Sequence, residues 1–94
     1  MIKVLIKEKN IEISGHANFN DYGKDIVCAS VSSIIYTTIN GILNINDKAL
    51  KITDNNTLNI EILINDDITN KLIDNMILLL KDLEKQYPKN IKIK

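Results

Sequence analysis

The side chains best suited to covalent chemistry are the single cysteine, Cys28, and the single histidine, His16, of this 94-residue chain. They share the stretch Gly15-His16-Ala17-Asn18-Phe19-Asn20-Asp21-Tyr22-Gly23-Lys24-Asp25-Ile26-Val27-Cys28-Ala29-Ser30-Val31-Ser32, in which a glycine-bracketed polar loop separates the two. A thiol attacks a carbonyl as its thiolate, and an imidazole can take the proton, so the pair has the composition of a nucleophile and its base. A lone cysteine is also a common small core residue, and spacing leaves both roles open. One Cys and one His are too few for a metal centre, and no second cysteine is present to resolve a sulfenic acid. Neither a metal nor another cofactor is expected.

The elements that must position these groups follow from patterning. Ile2, Val4 and Ile6 alternate with Lys3, Leu5 and Lys7, which predicts a strand. Lys9-Asn10 is the expected turn into a second strand, Ile11 to Ser14, whose end places Gly15 and His16 at a sheet rim. From Ala17 to Lys24 turn-forming residues dominate, and Phe19 and Tyr22 either close over an apolar peptide or pin the loop to the body. Gly15 and Gly23 serve turns closed to residues with a Cβ.

Asp25 is the expected N-cap of a helix running to about Leu43, with Ser30, Ser33, Thr37, Asn40 and Asn44 on one side. Cys28, Val31, Ile35, Ile39 and Ile42 fall on the other, so Cys28 is expected on the buried face but in the first turn, where free N–H groups and the helix dipole favour a thiolate. Ser32 follows one turn later on the same flank, poised either toward the thiol or a substrate, or back onto its own helix carbonyl.

Lys48 to Thr53 and Thr57 to Ile64 predict a hairpin turning at Asp54-Asn55-Asn56. A second helix is expected from Asn65 or Asp66 to Gln86, with Ile68, Leu72, Met76, Leu79 and Leu83 as its core stripe. Ile73, Ile77, Leu78 and Leu80 widen that stripe, so the helix is either deeply buried or meets another subunit. Pro88 ends it, and Ile91-Lys92-Ile93 makes a last short strand. The expected fold is a small α+β domain spanning residues 1–94, in β-β-α-β-β-α-β order, with a mostly antiparallel sheet and two helices.

Composition narrows the function. The net charge is zero and all 12 positive residues are lysines, which leaves no guanidinium fork for phosphate or guanine and no basic stripe. Direct nucleic-acid binding is therefore not expected. A single cysteine, with no N-terminal leader pattern, suits a reducing, cytoplasmic setting. No stretch is expected to reach the length that spans a bilayer, and no membrane partner is expected.

Gly15-His16-Ala17, Gly23, Asp25-Ile26-Val27-Cys28-Ala29 and Ser32 resemble the signature of the ribosomal-processing cysteine protease family, called Prp, with Ser30 where alanine is usual. The order of elements, the aliphatic second helix and Tyr87-Pro88 extend the resemblance over essentially the whole chain. The resemblance implies a cysteine endopeptidase with Cys28 as nucleophile and His16 as base, and it carries the motif's aspartate and serine onto Asp25 and Ser32. It further implies a homodimer, a mobile loop over the site, and removal of a short N-terminal extension, apolar before the cut, from large-subunit ribosomal protein number twenty-seven. Asp25 then either caps the helix or orients His16. The competing expectation is a ribosome-assembly factor that binds such a protein without cutting it.

Overall fold

Alternating aliphatic strands and two apolar-striped helices fold into a two-layer α+β unit. The computed structural model describes residues 1–15 and 25–94. In chain order the elements are β1 (Ile2–Ile6), β2 (Asn10–Ser14), α1 (Ile26–Ile45), β3 (Leu50–Asn55), β4 (Thr57–Ile62), α2 (Asp67–Gln86) and β5 (Ile91–Ile93). They match the expected order.

The sheet runs β3-β4-β2-β1-β5. β1 with β2, β2 with β4 and β3 with β4 pair antiparallel, while β5 lies parallel to β1, so the sheet is mixed but mostly antiparallel. Period-2 alternation sends one set of side chains to the helices. In register, Val4 faces Ile13, Ile11 faces Ile60, Leu50 faces Ile62 and Ile2 faces Ile91, and all of these except half-buried Ile62 are buried. The opposite face carries Lys3, Glu12, Lys51, Thr53 and Asn59.

α1 buries Val27, Val31, Ile35, Ile39 and Ile42, and packs against α2. It has 20 residues without a charge, so the expectation that no stretch reaches bilayer-spanning length is corrected: by length and composition alone α1 is long and apolar enough to cross. Its buried stripe instead belongs to the core shared with the sheet and α2, and Ser33, Thr37, Asn40 and Asn44 form an exposed polar side. Cys28, expected on the buried face, is half-buried and packs against the edge of this core. The stripe is centred on Val27, and Cys28 lies on its flank.

The stripe of α2 is rotated from the expected one. Thr69, Ile73, Met76, Leu80 and Leu83 are buried, whereas Ile68 and Leu79 are exposed and Leu72 is half-buried. Thr69 is 2% exposed, so a short polar side chain takes a core position that hydrophobicity assigned to its neighbour. The helix settles on the sheet by volume fit along a line that includes Thr69, and the excess aliphatic residues are left outside.

Candidate active site

The site is assembled where β2 ends and α1 begins. β2 runs out at Ser14, and Gly15 follows with φ +85, in the left-handed region that favours glycine. A Cβ there would collide with the carbonyl oxygen of Met1, so glycine is required by space as well as by conformation. His16, Phe19, Tyr22 and Gly23 lie outside the described residues.

The chain is described again at Asp25, the N-cap of α1, with extended backbone (φ −82, ψ 100). Its Oδ1 accepts the N–H of Val27 and that of Cys28, both at 3.0 Å, and its carbonyl accepts the N–H of Ala29 at 3.1 Å. These bonds satisfy donors that a helix start otherwise leaves open. They also show the capping role of Asp25 directly. Two of the first-turn N–H groups that could have faced a developing oxyanion are already spent on this carboxylate, and among the described residues the third, Ile26 N–H, has no partner.

Cys28 thus sits in the first turn of a long helix, half-buried, with its own amide fixed by Asp25. Ser32 lies one turn on and is exposed. Ser30 Oγ donates to Ile26 O at 2.7 Å and Thr38 Oγ1 to Ile34 O at 2.8 Å. Ser32 makes no such bond among the described residues, so its hydroxyl is not committed to the helix backbone. Tyr36, a further turn on, reaches across to β3, where its hydroxyl donates to Asp54 Oδ2 at 3.3 Å. Partial burial, and then the adjacent Asp54 carboxylate, raise the Tyr36 phenol above its ordinary value. Cys28, Ser32 and Tyr36 therefore mark one flank of α1, the flank on the β3 side. Sequence reading missed Tyr36 because its partner is 18 residues away.

The opposite flank of α1 faces α2 across a surface groove of about 730 Å³ lined by Ile26, Ser30, Ser33, Leu79 and Asp82, among others. At about 100° per residue, Cys28 points well away from those positions. This groove is separate from the thiol. Among the described residues no three His, Cys, Asp or Glu side chains gather as a metal site.

A family model for the cysteine protease Prp matches residues 1–92, the stretch that holds the thiol, the capped helix start and the strand end at Gly15. This chain belongs to the cysteine protease Prp family. The ribosomal processing cysteine protease Prp of Staphylococcus aureus is 29% identical over 91 residues, which cover 93% of this chain and 86% of that protein. The S. aureus Prp structure with a covalently linked product peptide superimposes with a TM-score of 0.89 at 23% identity, covering 99% of this chain and 95% of the other. A second S. aureus Prp structure, holding a substrate peptide, gives a TM-score of 0.81 at 22% identity with the same coverage. Both carry the Prp fold seen here, and the motif from Gly15 to Ser32 falls within the matched region.

Proposed function

We propose that this chain is a ribosomal-processing cysteine endopeptidase that removes the short N-terminal extension of large-subunit ribosomal protein number twenty-seven, with a Cys28–His16 dyad. One observation carries the assignment of the nucleophile: in a chain of a cysteine protease family, the single cysteine occupies the first turn of a helix whose cap bonds that cysteine's own amide. The processing role is supported by the S. aureus relatives, one of which holds a substrate peptide and another a covalently linked product peptide.

His16 accepts the proton of Cys28, and the thiolate attacks the scissile carbonyl carbon, forming a C–S bond as the carbonyl π pair moves to oxygen. The resulting oxyanion is met by preorganised donors, of which Ile26 N–H is one candidate. Collapse breaks the C–N bond, and His16 delivers its proton to the leaving amine. Water, deprotonated by the same imidazole, then hydrolyses the thioester and restores the thiol. Ser32 is the polar neighbour of this path, and Phe19 and Tyr22, between Gly15 and Gly23, are the candidate lid over the substrate.

The working unit is a homodimer in the cytoplasm. Support for the dimer comes from Ile68 and Leu78 of α2, which are 54% and 61% exposed, more apolar surface than a solvated helix face needs. Zero net charge without arginine supports a protein substrate and no direct nucleic-acid contact.

The deciding experiment incubates the protein with a peptide spanning the ribosomal extension and its junction, with Cys28→Ala and His16→Ala beside it. Cleavage at one bond by wild type, lost in both variants, is the expected result. An intact peptide after prolonged incubation with folded wild type removes the protease assignment, and tight binding without cleavage favours the assembly-factor alternative.

A further inference from the structure

We propose that the free edge of β3 receives the substrate as an added strand, main chain to main chain, and thereby aligns the peptide with Cys28. This step rests on the protease function proposed above.

The parity of the ladder identifies the free groups. Leu63 N–H donates to Ala49 O at 2.8 Å and Ile62 N–H donates to Lys9 O at 2.9 Å. With Leu50 opposite Ile62, Lys51 opposite Glu61 and Ile52 opposite Ile60, antiparallel alternation assigns Lys51, Thr53 and Asn55 to bonds with β4. Leu50, Ile52 and Asp54 then turn their N–H and C=O groups away from the sheet. Leu50 is only 5% exposed, so its edge is covered, whereas Ile52 is half-buried and Asp54 exposed. Among the described residues nothing pairs with the outward main-chain groups of these two.

The other sheet edge is treated differently. β5 is three residues long, and the outward N–H of Ile93 donates to Glu84 Oε2 of α2 at 2.8 Å. An unpaired edge invites another chain, and proteins commonly blunt it by such means. Here one edge is closed by a dedicated carboxylate and the other is left open.

The open edge is the one on the thiol side. Tyr36 ties α1 to Asp54, and Cys28 lies eight residues up the same helix, about 12 Å along the axis. α1 leads into β3 through residues 46–49, so the two run in opposite directions and Cys28 lies beyond the Asp54 end of β3. An extended chain advances about 3.3 Å per residue, so a peptide paired with Ile52 and Asp54 comes level with Cys28 about four residues further on.

The occupant is an extended peptide rather than a second copy. Two open positions make too short a ladder to reach the roughly 800 Å² per partner of a stable dimer. They suffice to set the direction and register of a peptide that is otherwise held at the thiol, the mode of strand addition in which main-chain bonds hold and alternate side chains select.

The test uses Cys28→Ala protein and the extension-junction peptide, with amide hydrogen exchange read by NMR. At saturation the amides of Ile52 and Asp54 are expected to slow by about tenfold or more, the scale of one main-chain hydrogen bond, while Lys51 and Thr53, already paired with β4, change little. A parallel series places single N-methyl groups along the peptide. With wild-type protein, KM is expected to rise about tenfold at alternate positions, four to six residues from the scissile bond, with kcat held. A peptide that is cleaved without either alternation overturns the edge assignment and leaves the protease function standing. Protection of Ile52 and Asp54 that grows with protein concentration in the absence of peptide overturns it in favour of self-pairing. A peptide neither bound nor cleaved removes both.

Discussion

Asp25 Oδ1 accepts the backbone N–H of Cys28 at 3.0 Å, so the residue that starts α1 also fixes the main chain of the thiol. The same oxygen holds Val27 N–H, and a single carboxylate thereby sets the first turn around Cys28.

Replacing Asp25 separates capping from catalysis. Asp25→Ala is expected to cost about 1 kcal/mol of stability through loss of the cap, and Asp25→Asn, which keeps the acceptor, only a few tenths. Both are read by chemical denaturation. If capping is the whole role, kcat/KM of Asp25→Asn stays within a few-fold of wild type. A loss of a hundredfold or more in that variant, with stability retained, would show instead that the charge orients His16.

Gly15 is expected to resist substitution. Its φ of +85 strains any residue with a Cβ, and that atom would meet the Met1 carbonyl, so Gly15→Ala should lower stability by about 1 kcal/mol or more, seen as a lower Tm. A Tm equal to wild type would mean that the β2 exit adopts another conformation in solution.

The rotated stripe of α2 makes a paired forecast. Met76 is fully buried, so Met76→Ala should cost about 2–5 kcal/mol, whereas Leu79, 43% exposed, should lose well under half of that on truncation to alanine. Thr69→Val, in the same denaturation series, tests whether this buried position needs its hydroxyl, a group that costs free energy to bury unless it is hydrogen-bonded. Equal costs at 76 and 79 would restore the expected stripe, in which Leu79 is buried alongside Met76.

Tyr36 gives a pH signature at the contact between α1 and β3. Its phenol is raised by partial burial and then by Asp54, so the folded state holds the proton more tightly than the unfolded chain. The linked stability is complete below the ordinary tyrosine value of 10.0 and is lost as pH rises through the raised value. Ultraviolet titration of wild type minus Tyr36→Phe isolates this phenol from Tyr22 and Tyr87. Asp54→Asn should bring its midpoint back toward that of free tyrosine. The stability effect is small because Tyr36 is 40% exposed and solvent screens the charge.

Much of this protein was legible along the chain because the rules involved act over four residues or fewer. Asp25 ahead of an apolar-periodic run announced a capped helix, and that placed Cys28 in the first turn. Alternation announced the strands, and Asp54-Asn55-Asn56 announced the hairpin, in which Asn56 takes φ 63. The motif from Gly15 to Ser32 indicated the family. Tertiary structure decided what depends on partners far away in sequence. Whether Ile68 or Thr69 is buried depends on where α2 meets the sheet, a contact no local pattern encodes. That Tyr36 bonds Asp54, and that Glu84 closes β5 while β3 stays open, depends on the strand order β3-β4-β2-β1-β5. Local periodicity tells each segment which face is apolar, but only packing of all the faces against one another chooses which excess apolar residue, which edge and which flank of α1 remain available for function.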